Sequence, residues 1–506
     1  MVHPNPNTIS NFSQSWQRAT HFREFDLQHE ATLPTVENTQ KREDYKRFEP
    51  EKPTLCQLSL ALGSANYGTI TQGDKSFVSA STHLSKIIAK VEDCKLSDLG
   101  NSTVPMTIFN CTNMLVGVGT LSLALGFRQC GWIIGLILLT LPVVVTTYTA
   151  KLLVKCLNTD RTTFTYGDIA CLAFGPIGRH LIEVLFASEL IAANAALFIL
   201  FADSLGSLAP GLSLYACKVI VAIGMIPLNF AQFKFLSITS AVGIFCFIGI
   251  LATMMTAGLT KHDAPGSLLE LAQTRAWALD WKVVPASLGI FMAPWGAHSI
   301  VPAVYKDMRH PQKYNKALKC TYSICYVIAF SIAVMGYLMF GDDILPEVTS
   351  SILSITEYPP ILSAITLVLV ATIPLTKASL NNRPVIDTIN RQLGIHPQQT
   401  DPTASQGTDN GRRHQLMRFG VGILCNLLEL ALAISIPNFG DVVALLGSAL
   451  CITISVVLPA CFYLRICRDK NIVVTNFDRV TCWVLIVVGA VCAVLGTFFT
   501  ILMDNR

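Results

Sequence analysis

From Pro105 to its end the chain is divided into apolar stretches of 18 to 27 residues, and nothing else in the sequence limits the fold as strongly. Each stretch is long enough, as a helix, to cross a hydrocarbon core about 30 Å thick. They run over approximately 105–127, 130–154, 181–207, 213–230, 235–258, 284–304, 318–340, 358–380, 416–436, 440–464 and 480–502. Only Pro437, Asn438 and Phe439 separate the ninth from the tenth, which leaves the count open by one. In lipid every backbone N–H and C=O needs a partner within the protein. The expected fold class is therefore an all-α membrane protein of about eleven transmembrane helices. Composition agrees. Charged residues make up 14% of the 506, against about 25% in a soluble domain, too few to coat a water-facing surface.

Residues 1–103 differ in kind. They are polar, rich in Thr, Ser, Asn and Gln, and nearly charge-balanced, so they bury too little apolar surface to offset their ordering entropy. They read as a mostly disordered cytosolic N-terminal tail, with 104–506 as the transmembrane domain. An apolar patch around Leu58 to Leu62 reads as a chance cluster rather than a docking segment. The opening Met1-Val2-His3-Pro4-Asn5-Pro6 lacks a basic stretch followed by an apolar core and does not read as a signal peptide. Of the 16 cysteines most, such as Cys111, Cys171, Cys246, Cys325, Cys425 and Cys451, lie inside apolar runs as small hydrophobes. No C-x-x-C or Cys/His cluster has zinc spacing, so neither a metal, a cofactor nor an obligatory disulfide is expected.

Basic residues orient the chain. With the tail cytosolic and eleven spans, twenty Lys and Arg fall in cytosolic loops and helix ends, among them Lys151, Lys155, Lys306, Lys313, Lys377, Arg465 and Arg479. The opposite side keeps six: Arg128, Lys218, Lys261, Arg275, Lys282 and Arg506. That asymmetry follows the positive-inside rule and puts the C-terminus on the far side.

Two spans are interrupted. The first reads Asn110-Cys111-Thr112-Asn113-Met114-Leu115-Val116-Gly117-Val118-Gly119-Thr120-Leu121-Ser122, with two glycines flanking a valine at mid-span. The sixth reads Phe291-Met292-Ala293-Pro294-Trp295-Gly296-Ala297-His298-Ser299, where proline removes a backbone donor and glycine frees the dihedrals. Spans one and six are corresponding members of two five-helix halves, and paired interruptions at corresponding places point to a transporter binding site. A half-helix starting near Gly119 presents N–H groups and a positive dipole end that suit a carboxylate. The broken sixth span offers free carbonyls for an ammonium group. Candidate substrate-binding residues are Asn113, Val116, Gly117, Val118, Gly119, Thr120, Ala293, Pro294, Trp295 and Gly296, with Trp295 and Ala297 shaping a side-chain pocket. Gly131 and Gly135 in span two read as close-packing glycines instead.

Ionisable groups at membrane depth are costly and by default functional candidates. Glu189 lies about 12 Å inside the cytosolic end of span three, among Phe186, Ala187, Leu190 and Ile191, and is the first candidate for a proton carrier; the alternative is a carboxylate bonded to a neighbouring helix for packing. Glu429 in span nine is a second proton-coupling candidate. His298 is a third, with capping of the broken helix as its competing role. Lys377 reads as a topology anchor, or as occupying a place where a sodium-driven protein would hold a cation. Glu183 and Asp203, near span ends, read as solvated.

The residues then resemble a family. Ile108-Phe109-Asn110 through Gly117-Val118-Gly119, with Gly131-Trp132, is similar to the amino acid/auxin permease family, and within it to fungal vacuolar amino acid transporters and the vesicular inhibitory amino acid transporter. Thr165-Tyr166-Gly167-Asp168, Phe201-Ala202-Asp203-Ser204-Leu205, Trp295-Gly296-Ala297-His298, Asp307-Met308-Arg309-His310-Pro311, Gly336-Tyr337-Leu338-Met339-Phe340-Gly341 and Pro437-Asn438-Phe439 extend the resemblance over about 103–500. It implies a leucine-transporter-like fold of two inverted five-helix repeats plus one helix, with substrate between spans one and six. It implies further a proton-coupled antiporter moving neutral amino acids into an acidic vacuole or lysosome, and a part in transport for the acidic residue at Glu189. The expected partners are an amino acid, protons and membrane lipid, with the tail open to regulatory contacts and no nucleic acid. Two other functions stay open: an amino acid sensor of the same fold, and a sodium- or proton-coupled importer of the plasma membrane. An intramembrane enzyme is not expected, because His29-Glu30 is followed by Leu33 where a zinc protease needs His.

Overall fold

A computed structural model describes residues 102–504 apart from 161–162, 209–210, 230–232 and 394–408. The tail, including the Leu58 to Leu62 patch, lies outside the described residues. Fourteen α-helices follow in order: α1 Val104–Leu115, α2 Leu123–Leu157, α3 Tyr166–Leu208, α4 Leu214–Leu228, α5 Phe233–Thr260, α6 Val284–Met292, α7 Val301–Asp307, α8 Tyr314–Phe340, α9 Val348–Ser354, α10 Pro360–Gln392, α11 Asp409–Ser435, α12 Phe439–Leu445, α13 Leu458–Asp469 and α14 Asn476–Asp504. Nine helical stretches among the described residues are long and apolar enough to span a membrane, and Leu214–Pro227 is a shorter apolar helix. One of the nine, Val118–Leu157, holds the second half of span one together with span two. Dividing it and counting α4 recovers the eleven expected crossings. Span nine is α11, span ten is α12 to α13, and the gap between them is real: Asn438 accepts from Gly440 N at 3.1 Å and starts a new helix.

Both interruptions in the sequence are breaks in the structure. Span one stops at Leu115, Val116 and Gly117 leave helical geometry, and a 3-10 turn over Val118–Ser122 leads into α2. Span six stops at Met292, passes through 3-10 turns at Ala293–Trp295 and His298–Ile300, and resumes as α7. Between those turns Gly296 and Ala297 depart from helical dihedrals.

Gly131 is not a packing glycine inside span two, as its sequence suggested, but the bend between spans one and two. Its φ is 73°, in the left-handed region, and a Cβ there would strike the Trp277 backbone at 2.6 Å. The bend frees the N–H groups of Trp132 and Ile133, which donate to Arg275 O at 3.0 Å and Ala276 O at 3.1 Å of the loop between spans five and six. Arg275 in turn pairs with Asp342 at 2.6 Å, stapling that loop over the end of span seven. Span three begins with a reciprocal cap: Thr165 Oγ1 accepts from Asp168 N, and Asp168 Oδ2 accepts from Thr165 N. That explains the Thr165-Tyr166-Gly167-Asp168 motif structurally.

Span eleven shows how the outside is made. Val484, Val488, Val491 and Leu495 recur at helical spacing and are all exposed, an apolar stripe for lipid rather than for a partner helix. On the N-terminal side the chain entering span one pairs with the chain leaving span six. Ser102 N donates to Asp307 O at 2.8 Å, Arg309 N to Ser102 O at 2.9 Å, and Ser102 Oγ to Asp307 Oδ2 at 2.5 Å. Both side chains are buried.

Candidate functional site

The two breaks meet. A Cβ on Gly119 would lie 2.9 Å from Ala293 Cβ and 3.1 Å from Pro294 N, so only a glycine lets span one come this close to the break in span six. Gly289 and Gly447 bring spans six and ten into backbone contact in the same way. Beside these crossings lies a cavity of 110 Å³, small beside the roughly 300–1,000 Å³ of pockets for drug-sized ligands. Spans one, three, six, eight and ten contribute to its wall.

Of the residues proposed from sequence, Asn113, Gly117, Val118, Gly119, Ala293, Pro294, Gly296 and Glu189 line the cavity. Val116, Thr120 and Trp295 are not among its lining residues. The 3-10 turn explains Trp295: Pro294 and Gly296 face the cavity, and the indole between them points away to stack on Tyr322 of span seven, ring centroids 5.8 Å apart and planes 15° apart. Val116 contributes its carbonyl instead, which accepts from the Lys377 ammonium.

Glu189 is buried, and its Oε1 lies 3.5 Å from Cys451 Sγ of span ten. A Cβ on Gly296 would come within 3.0 Å of the same oxygen. The carboxyl group therefore sits directly at the break of span six, with a thiol as its hydrogen-bond donor.

Lys377 is the other charged side chain of the described cavity wall. The topology count treated it as an anchor, but it is buried in span eight and its ammonium donates to Asn113 O at 2.8 Å and Val116 O at 2.5 Å. Its charge also lies over the Phe247 ring, 5.4 Å from the centroid. Lys218, assigned to the far-side loop by its position in sequence, is likewise buried and donates to Ala433 O at 2.8 Å.

Glu429 and His298 stand off the cavity. Glu429 accepts from Asn194 at 2.9 Å and from Asn382 at 3.3 Å, at the centre of an amide network joining spans three, four, eight and nine. Asn382 also donates to Asn229 and Asn426, Asn229 donates to Asn426, and Asn381 donates to Asn194. His298 Nε2 lies 2.9 Å from Thr149 Oγ1 and 3.1 Å from Thr146 O of span two, and its Nδ1 has no protein partner. Sequence reasoning missed Asn381 and Cys451 as lining residues and the asparagine network altogether. Asn194 and Asn426 in apolar surroundings, and the adjacent Asn381 and Asn382, were the available signal.

Comparisons with known proteins agree with this arrangement. The chain is 27% identical over 428 residues to amino acid transporter AVT1I of Arabidopsis thaliana, covering 81% of this chain and 97% of that one. It is 28% identical to AVT1E of the same plant over 412 residues, 79% of this chain and 73% of the relative. A crystal structure of MhsT in complex with L-phenylalanine aligns with 80% of this chain and 99% of its own at TM-score 0.49 and 11% identity, too distant a match to carry an argument. A family model described as transmembrane amino acid transporter protein matches residues 100–502. With that match over an all-helical membrane domain and two broken spans enclosing a cavity, the chain belongs to the transmembrane amino acid transporters, the amino acid/auxin permease family, and is an integral membrane transporter rather than an enzyme.

Proposed function

We propose that this transporter moves neutral amino acids from the cytosol into an acidic vacuole or lysosome in exchange for protons, with Glu189 carrying the proton. One observation supports the reading above the others: Glu189 is the cavity wall's carboxylate, and it touches the break in span six rather than a cationic partner. A substrate entering between the breaks meets the N–H groups of Val118 and Gly119, which suit its carboxylate, and the carbonyls freed in span six, which suit its ammonium group. With Lys377 committed to main-chain carbonyls and Glu189 assigned to the proton, neither charge of the described cavity wall is left for a charged side chain to pair with. Neutral substrates fit that balance. Protonation of Glu189 and occupation of the adjoining space then compete, which is the requirement of exchange. The vacuolar or lysosomal location rests on the resemblance of the motifs, and the cytosolic placement of the N-terminal side on the distribution of Lys and Arg.

The driving force is adequate. One pH unit is worth about 1.4 kcal/mol, so a lumen about two units more acidic supports roughly hundredfold accumulation by one-for-one exchange. The test uses proteoliposomes with an imposed pH gradient and labelled neutral amino acids. Glu189→Gln is expected to abolish gradient-driven accumulation while retaining counterflow of substrate against substrate. Accumulation undiminished in Glu189→Gln would remove the proton assignment.

A further inference from the structure

The break in span one leaves carbonyl oxygens without helical partners. In a continuous helix Thr120 N would bond Val116 O; here it donates to Gly117 O at 3.0 Å. Val116 O and Asn113 O are left at the C-terminal, negative end of α1, and both point at one spot, the Lys377 ammonium. Two side-chain oxygens are close by. A Cβ on Gly243 would meet Thr376 Oγ1 at 3.3 Å, Asn113 Oδ1 at 3.4 Å and Lys377 Cε at 3.8 Å, so all three gather at the same place on span five. Asn113 Oδ1 is buried and has no protein partner. No carboxylate among the described residues pairs with Lys377. Unwound carbonyls at a half-helix end, with nearby hydroxyl and amide oxygens, are the ligands that strip water from a small monovalent cation.

We propose that Lys377 is a tethered cation: its ammonium fills an oxygen cage at the break of span one that would otherwise take a dissolved sodium ion, so the transporter works without sodium or potassium. The arrangement differs from a free ion in one respect. The charge is attached to span eight, so closing α1 onto the cavity and docking it against span eight are a single event. Lys377 is thus a positioning residue for the first half of span one. The inference rests on the transport reading above and extends it to the choice of ion.

The test compares full-length protein in sodium, potassium and choline chloride of equal ionic strength, by counterflow in proteoliposomes and by thermal unfolding in detergent. Wild type is expected to show equal counterflow in all three salts. Lys377→Ala is expected to lose about tenfold in choline, the order of one charge-assisted contact, and to recover in sodium. Its melting temperature is expected to rise in sodium, with that of wild type unmoved. Lys377→Met, which refills the space with an apolar chain, is expected to respond to sodium in neither assay. Lys377→Thr, purified in sodium throughout, serves if the alanine protein does not fold. Wild-type counterflow that falls in choline overturns the proposal. So does a lack of sodium stabilisation in both Lys377→Ala and Lys377→Thr. Absence of flux in every protein, with the sodium-dependent unfolding intact, faults the transport reading instead.

Discussion

Spans one and six and the asparagine network that joins spans three, four, eight and nine handle buried polar atoms in opposite ways. In the broken pair, Thr112 Oγ1, Asn113 Oδ1, Ser122 Oγ, Trp295 Nε1 and His298 Nδ1 are buried without a protein partner. In the other group, Asn194, Asn229, Asn381, Asn382, Asn426 and Glu429 are tied to one another, with further bonds from Asn194 to Ala378 O and from Asn426 to Ala222 O. An unmade hydrogen bond in a low-dielectric interior costs free energy, so it persists where a second arrangement or a ligand completes it. A saturated network has nothing to gain by moving. The contrast assigns the parts: four helices form a frame held by amide bonds, and the broken pair keeps unmade hydrogen bonds, of which that of Asn113 lies at the cavity wall. The same division explains why Glu429 and Glu189, both carboxylates deep in the membrane, are unlike. Glu429 receives two amide donors inside the frame, whereas Glu189 faces the break with a thiol.

The largest effect that would test this division is on transport. Gly119→Ala forces a methyl group against Ala293 and Pro294, and overpacking of about 1–3 kcal/mol taken from the closed cavity lowers counterflow by about ten- to hundredfold. Melting temperature should fall little by comparison. A protein that loses stability in step with transport would mean the broken pair belongs to the frame.

A smaller effect separates the two classes of asparagine. Asn382→Leu removes the amide that links four partners, and unfolding in detergent should show a loss of about 1–3 kcal/mol. Asn113→Ala removes a side-chain oxygen that bonds nothing and should cost less stability than Asn382→Leu, while altering substrate affinity. Equal losses from both would erase the distinction.

The smallest effect lies outside the spans. Glu347, in the loop between spans seven and eight, is buried, and burial together with the negative charge of Asp203 pushes its carboxyl up to about 8 from an ordinary 4.5. The folded state then binds a proton that the unfolded state has released between about pH 4.5 and 8, so stability falls as pH rises through that window. Wild type should melt at a lower temperature at pH 8 than at pH 5, and Glu347→Gln should narrow the difference. A wild-type melting temperature that rises over the same range would contradict the assignment.

Much of this architecture could be read in the sequence because lipid enforces it locally. Run length gives the spans, and the two breaks announce themselves through Gly117 and Gly119 and through Pro294 and Gly296 at corresponding places of two halves, whereas single prolines such as Pro142 and Pro374 stay inside helices. Glu189 stands out because charge at that depth is rare. What could not be read depends on the rotation of one helix against another. Trp295 lies beside two cavity-lining residues yet faces span seven. Lys377 looks like an anchor at a span end until its carbonyl partners, 261 and 264 positions earlier in the chain, are known. The asparagines of the frame look like scattered helix residues until four spans are packed together.

The clamp between Ser102 and Asp307 has a mechanical consequence. Because the chain entering the first crossing is knotted by hydrogen bonds to the chain leaving the sixth, a tug on the polypeptide ahead of Ser102 reaches both half-helices at once. The two segments are thereby joined at one buried point, where a load on either is shared with the other.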